Sequence, residues 1–106
     1  VQAVGQIEGG IAQGLGLAVL EELIIKNGVI QNANFTDYLL PTALDTPPIE
    51  IASLIEEPEP GAPFGAKGIG EPPTISSTPA IVAAIRDATG LDLWKVPVRP
   101  EHIALP

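Results

Sequence analysis

Residues 65–73 read GAKGIGEPP, and this stretch constrains the fold of the chain more than any other. Its three glycines leave the backbone without β-carbons, so another molecule can approach it closely. The Pro72-Pro73 pair restricts the backbone straight after Glu71. A carboxylate between rigid neighbours suits a general base, whose geometry must persist through turnover. A solvated acid in an ordinary Gly/Pro-rich loop is the alternative, and the rest of the sequence has to decide between them.

Composition excludes several classes of function. The chain has 106 residues, enough for one domain, with no cysteine and a single histidine, His102. It therefore cannot itself hold a cysteine-ligated metal or cluster, and one histidine beside prolines is a poor central base. The net charge of -8 disfavours nucleic acid as a partner. No apolar run reaches the ~18 residues of a membrane span, and no signal peptide is recognisable, so we expect a cytoplasmic protein.

A helix rich in glycine is expected over residues 5–23. Apolar side chains recur there every four positions, and a second row beside them is almost bare backbone, formed by Gly10, Gly14 and Ala18. Each interior glycine costs a helix about 1 kcal/mol relative to alanine, so these glycines need a structural reason. Close approach of another helix, a sheet or a bulky ligand supplies one. Gln6 is the polar group where the chain enters this helix.

The remaining elements are expected to be short. Asn27-Gly28 between apolar pairs predicts a hairpin turn. A strand is expected over residues 49–55 and another over 91–98, with a helix over 78–88 between them. The predicted fold class is α+β: two main helices packed on a small mixed sheet, joined by Gly/Pro-rich loops.

Two nucleotide-binding motifs fail on inspection. A phosphate-binding P-loop would need a glycine where Ala66 stands and a hydroxyl where Gly68 stands. The glycines of residues 14–16 lack the third glycine of a dinucleotide fingerprint. A carboxylate-based hydrolase would need a second acid ~5–9.5 Å from Glu71, and the sequence offers no obvious candidate.

Two blocks of sequence resemble the molybdenum hydroxylases, the xanthine dehydrogenase and aldehyde oxidase family. Residues 5–16 read GQIEGGIAQGLG and look like a glycine-rich helix of that family, while residues 67–73 read KGIGEPP and look like the loop that bears its catalytic glutamate. The order of the blocks, their separation of about 50 residues and the helix after the second block also agree. The resemblance places residues 1–106 as one segment at the C-terminal end of the large molybdenum-binding subunit, within its molybdopterin-binding catalytic domain.

The resemblance implies oxidative hydroxylation of an electron-poor carbon in an N-heterocycle such as xanthine, or in an aldehyde. Glu71 would then be the catalytic base. The residues expected to contact the molybdopterin cofactor are Gln6, Gly68, Ile69 and Gly70, and no residue of this chain is expected to bind the metal directly.

The same resemblance implies partners outside these residues. Iron–sulfur clusters and FAD, or another electron acceptor, would belong to other subunits or domains, and the remainder of the molybdenum-binding subunit would complete the site. The sequence begins with Val1 in place of an initiator methionine, so we expect a processed chain or a piece of a longer one. The alternative function is a non-catalytic structural or assembly module that docks through its glycine-rich helix.

Overall fold

The computed structural model describes residues 1–104, in which two long helices pack against each other and a short hairpin follows the first of them. The elements in chain order are α1 (Gln2–Val19), β1 (Ile25–Lys26), β2 (Val29–Ile30), α2 (Pro72–Thr89) and α3 (Pro100–Ala104). The predicted α+β class with two main helices and a small sheet is confirmed. Within the described residues the sheet is a pair of antiparallel strands and the main helices pack on each other, whereas the sequence predicted a mixed sheet beneath them.

Helix α1 begins and ends earlier than the sequence predicted. At its end, the backbone N–H groups of Leu20 and Glu21 both donate to the carbonyl oxygen of Gly16, at 2.8 and 2.7 Å. The carbonyl oxygen of Ala18 accepts a hydrogen bond from the N–H of Val98 at 2.7 Å. A carbonyl that an interrupted helix leaves unpaired is thus satisfied by a distant segment, which local sequence cannot reveal.

Helix α2 begins at Pro72, well before the start predicted at Thr78. Pro72 and Pro73 occupy the first two helical positions, where a missing N–H costs nothing because no partner exists for it. Pro79, expected in the first turn, lies inside the helix instead. The predicted end is confirmed: Gly90 adopts a left-handed conformation with φ of 71° and caps the helix.

The predicted hairpin is present between β1 and β2. Asn27 and Gly28 form its turn with φ of 52° and 76°, which is the backbone geometry that favours this dipeptide. Ile25 lies opposite Ile30 in the antiparallel register.

The strands predicted over residues 49–55 and 91–98 are absent from the described chain. An alternating pattern indicates one buried face but does not supply a pairing strand, and β1 and β2 pair with each other. Trp94 in the second segment is 79% exposed and its ring lies 4.3 Å from the guanidinium carbon of Arg86.

The chain exposes far more surface than a compact monomer of its size. Its accessible area is 7963 Å², whereas an 11.0 kDa globular protein exposes about 5600 Å². Among the described residues the fully buried hydrophobic side chains are Ala18 and Val98, while Phe35, Ile55 and Phe64 are more than four-fifths exposed. Much apolar surface therefore has no counterpart within residues 1–104. No helix in this part of the chain has both the length and the apolar character needed to cross a membrane.

Candidate functional site

The packing of α1 on α2 brings the N-terminal ends of both helices to the same side. The hydroxyl of Thr74 donates to the carbonyl oxygen of Gly10, and that of Thr78 donates to the carbonyl oxygen of Gly14, each at 3.0 Å. Each threonine is 64 residues after its glycine, so the helices run parallel. The loop before α2 therefore lies beside the first turns of α1.

Gly10 and Gly14 make this close packing possible. A β-carbon at Gly10 would lie 2.7 Å from the Cβ of Pro73, and one at Gly14 would lie 3.1 Å from the carbonyl oxygen of Thr74. The expectation that another element approaches the glycine row is confirmed, and the element is α2. Part of the glycine-rich face is therefore used for packing inside the chain.

Glu71 precedes α2 and is held by its backbone. Its carbonyl oxygen accepts hydrogen bonds from the N–H groups of Thr74 and Ile75, at 3.0 and 3.1 Å. The side chain does not cap the helix and is exposed. Because Pro72 and Pro73 follow, the backbone of Glu71 has little freedom while its carboxylate remains available to a substrate.

The glycines before Glu71 fall into two kinds. Gly65 has a φ of 69°, and a β-carbon there would lie 2.6 Å from the Cβ of Pro58, so this chain alone requires glycine. Gly68 and Gly70 have no such φ, and a β-carbon at either would meet nothing within 4 Å. Ile69 between them is 37% exposed. These positions leave an open surface against which a further molecule can lie.

Gln6 lies on α1 at the same end as this loop. Seven residues later on the same face of α1, the Oε1 atom of Gln13 lies 3.4 Å from the hydroxyl of Thr74. Moving back seven residues along two parallel helices places Gln6 level with residues 67–70. Gln6 is exposed. The structure thus brings the five predicted site residues to one end of the helix pair.

Lys67 lies at the edge of this region. It lines a shallow depression of about 330 Å³ with the acidic turn at residues 56–58, which does not include Glu71. Within residues 1–104 no cluster of three or more His, Cys, Asp or Glu side chains could hold a metal ion.

The titration shifts occur away from the helix N-termini. The Arg99 guanidinium, hydrogen-bonded to Glu22, lowers the pKa of that carboxyl, with a smaller effect from Lys95. The Tyr38 hydroxyl donates to the carboxylate of Glu21 at 2.7 Å, which raises the pKa of Tyr38. Both acids follow the C-terminal end of α1, a helix about 27 Å long. These groups fasten neighbouring segments to α1 and take no part in the candidate site.

The sequence did not identify Thr74 and Thr78 as partners of Gly10 and Gly14. Their hydroxyls were noticed only as part of a polar run. The signal was the equal spacing: two glycines four residues apart and two threonines four residues apart present matching rungs on two helices.

Comparison with known proteins gives matches over nearly the whole chain. The model of the family described as "Molybdopterin cofactor-binding domain" matches residues 1–47. The chain is 42% identical over 103 residues to the xanthine dehydrogenase molybdenum-binding subunit of Escherichia coli, covering 95% of this chain and 14% of that protein. It is 39% identical over 102 residues to the aldehyde oxidoreductase of Megalodesulfovibrio gigas, covering 93% of this chain and 11% of that protein.

The fold agrees with a solved structure. Quinoline 2-oxidoreductase from Pseudomonas putida 86 superposes with a TM-score of 0.82 at 42% identity, over 94% of this chain and 13% of that one. The chain thus spans about one seventh of the length of the relatives that it matches.

Proposed function

The chain belongs to the molybdenum hydroxylase family, as a segment of its molybdopterin-binding subunit, and we propose that it supplies the general base of a molybdopterin-dependent oxidoreductase. The proposed base is Glu71. The observation that carries this proposal is the combination of a fixed backbone and a free carboxylate: two hydrogen bonds and two prolines hold residue 71, while its side chain is exposed beside open glycines.

The residues at the helix N-termini fit the molybdenum cofactor of the family. Gly68 and Gly70 leave room where a β-carbon would stand, so a flat ligand can contact the backbone of residues 68–70. Gln6, level with this loop, offers an amide that both donates and accepts hydrogen bonds. We assign Gln6, Gly68, Ile69 and Gly70 to cofactor contact, with the remaining contacts made by parts of the enzyme that this chain does not match.

The cofactor, when bound, supplies a redox metal that takes up two electrons as the substrate is oxidised. The part of this chain is to accept and hold a proton. The Glu71 carboxylate takes that proton from the reacting oxygen, and the fixed backbone keeps its direction constant between turnovers.

The proposed substrate class is an N-heterocycle or an aldehyde. Relatives named for xanthine, quinoline and aldehydes support this range, which is hydroxylation at an electron-poor carbon. Iron–sulfur and flavin subunits or domains as electron acceptors, the C-terminal position of the segment, and a cytoplasmic location remain predictions from the sequence.

The test is Glu71→Gln in the molybdenum-loaded enzyme that contains this chain. The amide keeps the size of the side chain but cannot act as the base, so we expect the rate of anaerobic reduction by substrate to fall about 10²- to 10⁴-fold. Molybdenum content should be unchanged. Glu50→Gln, at an exposed acid on a segment without regular structure, is the matched control and should reduce at the normal rate. Normal reduction of Glu71→Gln would remove the assignment.

A purely structural role remains the alternative from another class of function. The large exposed surface supports docking to other parts of an assembly. The rows of Gly10 and Gly14 do not, because α2 already covers them. The Glu71→Gln experiment also decides between these two functions, since a structural module has no need of a carboxylate at this position.

A further inference from the structure

Thr74 connects the proposed base to helix α1. Its hydroxyl donates to the carbonyl oxygen of Gly10 at 3.0 Å, and its backbone N–H donates to the carbonyl oxygen of Glu71, also at 3.0 Å. We propose that Thr74 is a positioning residue that sets the place of the Glu71 carboxylate relative to α1 and its cofactor contact Gln6. This inference rests on the proposed function, because it concerns how the base is held.

The first turn of α2 has few other means of attachment. Pro72 and Pro73 have no N–H group, so the backbone bonds of this turn come from Thr74 and Ile75. Pro73 is buried, and its ring packs where a side chain at Gly10 would stand. That contact fixes the distance between the helices but is apolar and non-directional. The Thr74 hydroxyl supplies a directional contact between α1 and the start of α2.

Thr78 provides a natural control one turn farther along. Its hydroxyl makes the same bond, to the carbonyl oxygen of Gly14 and at the same 3.0 Å. Loss of either bond should weaken helix packing to a similar extent. Only Thr74 is bonded to Glu71, so only its loss should move the base.

The experiment compares Thr74→Val, Thr74→Ser and Thr78→Val in the molybdenum-loaded enzyme. Valine keeps the shape of threonine without the hydroxyl, and serine keeps the hydroxyl. A displacement of about 1 Å can lower a catalytic rate about 100-fold, so we expect Thr74→Val to lower kcat roughly 10- to 100-fold while KM changes less than about twofold. Thr74→Ser and Thr78→Val should keep kcat within about threefold of the original enzyme.

A double variant shows whether Thr74 acts through the base. In Glu71→Gln enzyme, addition of Thr74→Val should lower the residual rate by less than about twofold, because no base remains to be misplaced. A readout without turnover uses the metal-free enzyme: backbone hydrogen exchange in residues 71–75 should be faster in Thr74→Val and unchanged in Thr78→Val.

Each result separates this inference from the proposed function. If Glu71→Gln reacts at the normal rate, the proposed function fails and the inference fails with it. If Glu71→Gln is impaired but Thr74→Val has normal kcat, or if Thr74→Val and Thr78→Val lose equal activity, the base stands and the positioning role of Thr74 is refuted. Additive losses in the double variant would likewise refute it.

Discussion

Substitution of Gly14 tests the packing of α1 on α2. In Gly14→Ala the new methyl group would overlap the Oγ atom of Ser77 and lie 3.1 Å from the Cβ of Ser77 and from the carbonyl oxygen of Thr74. Alanine favours a helix over glycine by about 1 kcal/mol. Overpacking of a close interface costs about 1–3 kcal/mol. The expected net change is therefore a loss of up to about 2 kcal/mol in the local stability of the helix pair.

A second substitution should reverse this loss. The Ser77 hydroxyl donates to the carbonyl oxygens of Pro73 and Thr74 within its own helix, so Ser77→Ala alone should cost less than about 0.5 kcal/mol. In the Gly14→Ala, Ser77→Ala double variant the worst overlap is gone and the remaining contacts of 3.1 Å need a shift of only a few tenths of an ångström. The helix propensity gain then offsets most of the cost.

Native-state hydrogen exchange of the α2 amides in the intact subunit measures this local stability. The expected order of the free energy of opening is original protein and double variant nearly equal, with Gly14→Ala lower. Equal destabilisation in Gly14→Ala and in the double variant would refute the argument that Ser77 occupies the space above Gly14.

Three further predictions concern other parts of the chain. Gly70→Ala should lower the molybdenum content of the purified enzyme roughly tenfold without changing hydrogen exchange in α2, because 1–3 kcal/mol of overpacking falls on the cofactor and not on this chain. Asn32→Ala should destabilise the segment around the hairpin by about 1–3 kcal/mol in hydrogen exchange, since the buried Asn32 side chain bonds the Glu22 carbonyl and an N–H two residues on, whereas exposed Gln31→Ala should cost less than about 0.5 kcal/mol. Because Arg99 lowers the pKa of Glu22, their pairing should stabilise the attachment of α3 above the ordinary carboxyl pKa of 4.5 and be lost as pH falls through the lowered value; protease cleavage near α3 should rise in that acid range, and Arg99→Met should remove the difference.

The sequence predicted the features that depend on local chemistry. Asn27-Gly28 predicted its hairpin because both residues tolerate positive φ, and Gly90 predicted the end of α2 for the same reason. The glycine row of α1 predicted close packing because bare backbone in a helix has a cost that only a neighbour can offset.

Features that depend on distant residues were not predictable in this way. Helix α1 ends where Val98 pairs with Ala18, 80 residues apart in the chain. The alternating residues 49–55 indicate a strand, yet the described chain contains no partner for it. The identity of α2 as the neighbour of Gly10 and Gly14 required the threonine rungs to be matched across 64 residues, a pairing that single-helix periodicity does not contain.

The candidate site was predictable for a different reason. Gly68 and Gly70 have no purpose within this chain, neither positive φ nor a close neighbour, and residues that the chain itself does not need are those that a ligand can require. What the sequence could not give was the parallel packing that places Gln6 level with them.

A crystal structure of the molybdenum-loaded enzyme with a slowly reacting substrate tests the central claim most directly. A general base must lie about 2.6–3.2 Å from the atom whose proton it takes, or be joined to it by one water. We expect a carboxylate oxygen of Glu71 at that distance from the reacting group, with the backbone of residues 68–70 against the cofactor. A Glu71 side chain directed into bulk solvent, away from the bound substrate, would contradict the account.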